Sequence, residues 1–165
     1  LQITFFKFFC SAFPNLKDDI EFIDGIISDE NFCFQLTAPS ESFGTIAFDI
    51  DSIEITVFTD FDHRHFPTYF NDREKDLQKQ IDLTCESVIE YVKDFFNGNL
   101  IIEIHTKGDK ILKTIHYLKD NPKKEIQSAF YLSKEFVTEK FKKIFGFNTP
   151  DSTIITRINW FGPLE

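Results

Sequence analysis

The sequence has 165 residues, of which 42% are hydrophobic and 27% are charged, and this length and composition predict one globular domain over residues 1–165. Its net charge of −9 is concentrated in residues 1–72, which carry 13 acidic and 3 basic side chains, whereas residues 73–165 carry 14 acidic and 15 basic ones. An acidic chain repels nucleic acid phosphates and attracts basic proteins, and no apolar run approaches the roughly 20 residues of a membrane span, so we expect neither direct nucleic acid binding nor a membrane protein.

The first half of the chain has mostly the pattern of β-strands. The segments "QITFFKFF", "FCFQLTA" and "TIAFDI" are short, aromatic and β-branched, which predicts three strands. The first of them has no basic region before its apolar residues, so we interpret it as a strand and not as the remainder of a signal peptide. Residues 15–29 are ambiguous, because the apolar spacing from Leu16 to Ile27 fits a helix, which we favour, whereas Asp24 and Gly25 also fit a hairpin turn.

Residues 47–66, "AFDIDSIEITVFTDFDHRHF", combine a hairpin pattern with a dense group of carboxylates. The apolar side chains change parity at Asp51 and Ser52, which predicts a turn or bulge there, and Pro67 predicts an edge strand after the next loop. The positions expected to face the core are Ile46, Phe48, Ile50, Ile53, Ile55 and Val57. The positions expected to point outward are Asp49, Asp51, Ser52, Glu54, Thr56, Phe58 and Asp60.

The clearest helical pattern follows this hairpin. Apolar residues from Leu77 to Phe96 recur on one helical face, Asn71 and Glu74 match a capping box, and Gly98 provides a stop signal. The pattern therefore predicts a long amphipathic helix that begins near residue 71.

The rest of the chain predicts a hairpin, another helix and a last strand. In "LIIEIHTKGDKILKTIHYL", two Ile-rich strands flank a short turn that contains Gly108. Residues 121–146 have Pro122 at a position tolerated in the first helical turn and a helical stripe of apolar residues, and "TIITRINW" predicts a strand. The stripe consists of Ile126, Phe130, Val137, Phe141 and Ile144, and the inward residues of the last strand are Ile154, Ile158 and Trp160. These elements predict an α+β fold, in which two main helices pack on one face of a mostly antiparallel, twisted sheet.

No local motif indicates catalysis. Cys10, Cys33 and Cys85 are widely spaced, which indicates buried free thiols in a reducing cytoplasm and no zinc site or disulfide framework. A nucleophile elbow and a phosphate-binding loop are both absent from the sequence. We therefore expect no enzymatic activity, no catalytic residue and no cofactor.

The histidines are the remaining candidates for chemistry. The segment "DFDHRH" at residues 60–65 has carboxylates and imidazoles that could bind a divalent metal, but a turn between strands needs polar residues anyway, so we predict no metal site. His105 and His116 lie on the two arms of the later hairpin, where they could pair, and we expect them to be solvated.

Residues from about 45 to 118 have the order hairpin, helix, hairpin. The first hairpin contains "IEITVFTDFDHRHF" and the second is "LIIEIHTKGDKILKTIHYL". In this order, and in its size and acidity, the chain resembles the immunity proteins of bacterial toxin systems such as contact-dependent growth inhibition. The resemblance implies a cytoplasmic, stoichiometric inhibitor of a basic protein toxin, usually a nuclease, and it transfers no site residues.

We expect the binding surface in the acidic hairpin, because carboxylates around an exposed aromatic residue suit a basic partner. The predicted partner-binding residues are Asp49, Asp51, Glu54, Phe58, Asp60, Phe61 and Asp62, with Phe58 and Phe61 as anchors. Alternatively, the acidic residues only keep a Phe-rich chain dispersed in water. Two other functions stay open, a small metal- or carboxylate-dependent hydrolase and a non-catalytic adaptor subunit.

Overall fold

The computed structural model describes residues 1–23, 32–68, 76–108, 110–130 and 153–164. Its helices are α1 (Gln2–Ala12), a short 3-10 helix (Pro14–Asp19) and α2 (Leu77–Phe96). Its strands form two antiparallel sheets, each of five strands within the described residues. The predicted α+β class is confirmed, with the strands divided between two sheets that we call sheet A and sheet B.

Sheet A is formed by the first half of the chain in sequential order. Its strands are β1 (Glu21–Phe22), β2 (Phe32–Thr37), β3 (Thr45–Ile50), β4 (Glu54–Thr59) and β5 (His63–Pro67). The strands predicted at "FCFQLTA" and "TIAFDI" are confirmed, and the change of parity marks the turn between β3 and β4. Within the described residues, strand β5 lies at the edge of sheet A, as Pro67 predicted.

Sheet B is formed by the second half. Its strands are β6 (Leu100–Lys107), β7 (Lys110–Leu118), β8 (Asn121–Phe130), β9 (Ile154–Asn159) and β10 (Gly162–Pro163), in the order β10-β9-β6-β7-β8. The predicted hairpin is confirmed: Lys107 pairs with Lys110, and Gly108 has a φ of +58°, which favours glycine in the turn.

The helix predicted over residues 121–146 is wrong in its first part. Residues 121–130 form β8, which pairs with β7, so Ile126 and Phe130 belong to a strand. Proline has no backbone N–H and is tolerated mainly in edge strands. In the described part of sheet B, β8 is an edge strand, so Pro122 is compatible with it. The remaining positions of the predicted stripe, Val137, Phe141 and Ile144, lie outside the described residues.

The segment predicted as the first strand is helix α1. Phe5 and Phe9 lie one helical turn apart, and both are completely buried. The Phe5 ring lies 5.8 Å from that of Phe48, and the Phe9 ring lies 5.1 Å from that of Phe34. Phenylalanine favours strands locally, but here the spacing of these two rings lets one helical face cover sheet A, and tertiary packing overrides the local preference.

The structure describes residues 15–23 of the ambiguous segment 15–29. Its first residues lie in the 3-10 helix, and Glu21 and Phe22 form a short strand paired with β2. The favoured α-helix is therefore wrong for the part that the structure describes. Asp24 and Gly25, which suggested a hairpin, lie outside it.

Helix α2 begins later than the sequence predicted. Asp76 is its N-cap, and its carboxylate accepts hydrogen bonds from the backbone N–H groups of Gln78 and Lys79. The capping box proposed at Asn71 and Glu74 lies outside the described residues. At the other end, Gly98 has a φ of +68°, which confirms it as the stop signal.

One hydrophobic core is shared by the two sheets, α1 and α2. Its fully buried large side chains include Phe5, Phe9, Phe34, Ile46, Phe48, Ile50, Ile55, Phe95, Leu100 and Ile102. Ile158 and Trp160 are also buried, as predicted, whereas Ile154 is 63% exposed, Ile53 in the β3–β4 turn is 54% exposed, and Leu77 in the first turn of α2 is 65% exposed. The inward prediction is therefore wrong for Ile53 and Ile154, and Leu77 lies outside the buried face of α2.

Cys33 and Cys85 are buried, Cys10 is half-buried, and all three are free thiols. Among the helices in the described residues, none combines the length and apolar composition needed to cross a membrane.

Candidate partner-binding surface

The predicted acidic surface lies mainly on the side of sheet A that faces away from the core. Because Phe34, Phe48, Ile55 and Phe66 pack in or against the core, the alternating residues of the same strands point to the opposite side. We call this side the outer face. It consists of Cys33, Gln35, Ala47, Asp49, Glu54, Thr56, Phe58, His63, His65 and Pro67.

Phe58 is the aromatic centre of the outer face. It is 38% exposed, although it occupies the middle of the sheet beside Ala47 and His63. Its ring stacks on that of His63 at 5.4 Å, and the rings of His63 and His65 meet edge to face at 5.0 Å. The cross-strand contact with His63 supports the ring of Phe58 on one side, while 38% of the side chain stays exposed.

Glu54 lies next to this aromatic group. Its Oε1 atom is 3.1 Å from Nδ1 of His65 and accepts a hydrogen bond from the hydroxyl of Thr56 at 3.4 Å. The Glu54 side chain is 26% exposed and the His65 side chain 52% exposed. Glu54 therefore presents a fixed carboxylate at the surface, outside the core.

Asp49 forms a different pair on the same face. The thiol of Cys33 donates a hydrogen bond to Oδ1 of Asp49 at 3.1 Å. Burial, followed by this hydrogen bond and the negative charge of Asp49, raises the pKa of Cys33 to about 12. The thiol is therefore protonated at neutral pH and acts as a hydrogen-bond donor, not as a nucleophile.

The two turn residues of the predicted set have structural partners. Oδ1 of Asp51 accepts hydrogen bonds from the N–H groups of Ile53 at 2.6 Å and Glu54 at 2.7 Å, so Asp51 shapes the β3–β4 turn. Asp60 accepts a hydrogen bond from the hydroxyl of Thr45 at 3.1 Å and stays exposed. Of the two, Asp60 is the one whose side chain remains at the surface.

Asp62 corrects the sequence prediction. It is only 7% exposed, and its side chain points between the two sheets, away from the outer face. Its Oδ2 atom accepts a hydrogen bond from the hydroxyl of Thr114 and lies 2.9 Å from Nε2 of His116, both in β7 of sheet B. Phe61 is also partly buried, and its ring contacts that of Phe43 in the core at 6.0 Å. Asp62 and Phe61 therefore do not belong to the exposed surface, because they connect the β4–β5 loop to the interior.

The contact between Asp62 and His116 is part of a buried polar network that the sequence analysis missed. His116 is completely buried, and its Nδ1 atom is 2.8 Å from the hydroxyl of Tyr91 in α2. Burial raises the pKa of Tyr91, so the phenol stays neutral. Burial alone would also raise the pKa of Asp62, but the hydrogen bonds and charge of His116 and the hydroxyls of Thr114 and Thr59 together hold it below its usual value. Asp62 is thus a charged carboxylate that connects the β4–β5 loop of sheet A to β7 of sheet B, and His116 extends the network to Tyr91 in α2.

His105 and His116 do not form the pair considered from the sequence. His105 lies opposite Lys113, and His116 lies opposite Ile102. His105 contacts Glu103 instead, with Nε2 2.8 Å from Oε1, and Arg157 donates a hydrogen bond to the other oxygen of Glu103 at 2.9 Å. The expectation that both histidines are solvated is wrong for His116, whose buried position depends on Asp62 and Tyr91.

The inward position of Arg64 leaves the outer face with a negative charge. Residues 32–68 contain six acidic side chains and a single Lys or Arg, which is Arg64. The guanidinium of Arg64 points inward, 4.6 Å from the ring centre of Tyr91 and 4.9 Å from that of Phe66. The one cation in this part of sheet A is therefore on the other side, and the carboxylates of Asp49, Glu54 and Asp60 face outward without a Lys or Arg of the same strands beside them.

No protein-family model matches the chain, and no curated protein or solved structure shows significant similarity to it. In the described ranges, no group of three or more His, Cys, Asp or Glu side chains has the geometry to hold a metal ion.

Proposed function

We propose that this chain binds a basic protein through the outer face of sheet A and neutralises it stoichiometrically, as the immunity proteins that it resembles do. One observation supports this proposal most strongly. Arg64, the only cation of strands β2 to β5, is stacked on Tyr91 and Phe66 on the inner side, so the outward carboxylates are left to give the outer face its negative potential. If the carboxylates only kept the chain dispersed in water, Arg64 would not need to lie on the inner side of sheet A.

The geometry of the outer face suits such a partner. Phe58 provides an exposed apolar centre, and Asp49, Glu54 and Asp60 lie around it on the same sheet or at its edge. Interfaces often place an aromatic residue at the desolvated centre and polar groups at the rim. A nuclease toxin has a basic cleft because it binds phosphate, so an acidic surface can approach it rapidly and occupy that cleft.

The test starts by isolating the partner from the native host. Wild-type protein and the Glu54→Lys variant are used as baits, with Glu90→Lys as a matched control, since Glu90 is exposed on α2 and remote from the outer face. We expect a basic protein that is retained by wild type and by Glu90→Lys, lost with Glu54→Lys, and inhibited at equimolar ratio. Identical captured proteins on all three baits would contradict the proposal.

The kinetics of the purified complex provide an independent measurement. Electrostatic attraction between exposed charges acts over about 10 Å at 0.1 M salt, so added salt is expected to slow association more than it accelerates dissociation. An association rate that does not change with salt would remove the role that we assign to the outward carboxylates.

A further inference from the structure

A cleft of about 330 Å³ lies between the edge strand β5 and helix α2. Consecutive residues of β5 form one wall and residues from one face of α2 form the other. Its lining includes Arg64, His65 and Phe66 from the strand and Gln80, Thr84 and Ser87 from the helix. The helical residues are spaced by four and three positions, so they share one face of α2. The cleft therefore lies between that face and β5, with a volume at the lower end of the range of ligand sites.

The strand wall of this cleft presents backbone groups at the edge of sheet A. The N–H of Thr68 donates to the carbonyl of Ile53 at 2.8 Å, and the N–H of Thr59 donates to the carbonyl of Asp62 at 2.8 Å. In an antiparallel pair such bonded positions alternate, so the N–H and C=O of His65 point away from β4. Within the described residues no strand pairs with that side of β5. An incoming extended segment can form backbone hydrogen bonds there.

Arg64 gives the cleft a positive charge. Its Nη1 atom is buried and has no hydrogen-bond partner in the described part of the chain, although its guanidinium is held over the rings of Tyr91 and Phe66. A buried, charged donor without a partner is unfavourable, and the planar guanidinium matches a carboxylate in a two-point contact. The described residues that line the cleft include no Asp or Glu. A carboxylate that enters the cleft would therefore pair with the guanidinium of Arg64, which lines it.

We propose that the cleft between β5 and α2 binds an extended peptide segment of a partner protein, which adds as a strand to β5 and places an Asp or Glu side chain against Arg64. Side chains of an added strand alternate between the two sides of the sheet, so one set points to the inner side that Arg64 occupies. This site adjoins the outer face and shares His65 and Pro67 with it, but Arg64 and Phe58, the central residues of the two sites, point to opposite sides of sheet A. The outer face attracts a basic partner, whereas the cleft attracts a segment with an acidic side chain.

The proposal is tested with a phage library of random linear dodecapeptides, panned on the wild-type protein, after which selected peptides are titrated by fluorescence anisotropy. We expect the selected peptides to share an Asp or Glu, and their affinity to fall at least about tenfold with Arg64→Gln. Ser87→Tyr, which fills the helix wall at an exposed position, is expected to weaken binding similarly. The matched control Glu90→Tyr, at an exposed position of α2 that lines a different cleft, beside α1, is expected to bind as wild type does.

Amide exchange in the wild-type protein makes the result independent of whether Arg64→Gln folds. Binding of a selected peptide is expected to slow hydrogen exchange of the His65 N–H, because strand addition gives it an acceptor. The proposal is overturned if panning enriches no peptide, if the enriched peptides lack a common carboxylate, if Ser87→Tyr binds them as wild type does, or if the exchange of His65 does not change.

Discussion

Replacing Asp62 with Asn removes the charge from the buried network that connects the two sheets. In the wild-type protein, Oδ2 of Asp62 receives the hydroxyl of Thr114 and lies 2.9 Å from Nε2 of His116, and both Asp62 and His116 are almost without solvent contact. Asn has the same shape and still accepts hydrogen bonds, so the change tests the charge more than the packing. It leaves the buried imidazole of His116 facing an amide instead of a carboxylate.

The expected loss is large compared with that of an exposed carboxylate. Removing one member of a buried pair typically costs about 3–5 kcal/mol, and we expect about 3 kcal/mol here because the amide oxygen retains part of the hydrogen bonding. Such a loss is a considerable fraction of the roughly 5–15 kcal/mol that stabilises a domain. The control is Asp60→Asn, two residues away and exposed, for which we expect a change of about 0.5 kcal/mol.

The pH dependence has a definite sign. The pKa of Asp62 is lowered from an unfolded value near 3.8, so the stability that it contributes is complete above that value and is lost as the pH falls through the lower, folded pKa. Urea unfolding of wild type and Asp62→Asn at pH 7 and pH 3, followed by circular dichroism, measures the difference. We expect it to be largest at pH 7 and to shrink below pH 4. An equal difference at both pH values, or a variant as stable as Asp60→Asn at pH 7, would refute the assignment of a charged, stabilising carboxylate.

Three further predictions concern the outer face, a turn and the thiols. Glu54→Lys is expected to change the free energy of unfolding in urea by less than about 1 kcal/mol, because the pair of Glu54 with His65 is at the surface. The same variant is expected to weaken the partner complex by about 2 kcal/mol or more. Normal affinity would place the interface elsewhere. Gly44→Ala is expected to cost more than about 1 kcal/mol in the same assay, since Gly44 has a φ of +79° and a Cβ there would lie 1.8 Å from Asp60 Oδ2; a variant of unchanged stability would refute this strain. Because burial raises the pKa values of Cys33 and Cys85 to about 12, iodoacetamide at pH 8 is expected to label them only after urea unfolding, with mass spectrometry as the readout, and rapid native labelling would contradict their burial.

The sequence by itself determined the elements whose pattern is local. Alternation of apolar residues identified the inward side of β3, and the turn at Gly108 identified the hairpin of β6 and β7. The helical period of α2 and its stop at Gly98 were also readable, because periodicity and glycine conformation depend on neighbouring residues only. The surface positions of Glu54, Phe58 and Asp60 followed from the same alternation.

The tertiary structure decided the features that depend on distant partners. "QITFFKFF" has the composition of a strand, but Phe5 and Phe9 bury more completely as one face of α1 against sheet A. Residues 121–130 have a helical spacing, but β7 offers them a strand to pair with. Contacts of this kind join residues far apart in the chain, and no local pattern contains them.

In the candidate sites, too, local patterns predicted some positions and tertiary contacts decided others. Alternation placed Phe58 outside, but the direction of Asp62 depends on Thr114 and His116, 52 and more positions away, which satisfy its carboxylate in the interior. The inward position of the Arg64 side chain likewise depends on its contact with the ring of Tyr91 in α2. Burial of a polar or charged side chain is favourable only when partners are present, and for these residues the partners come together only when the two sheets and α2 pack against each other.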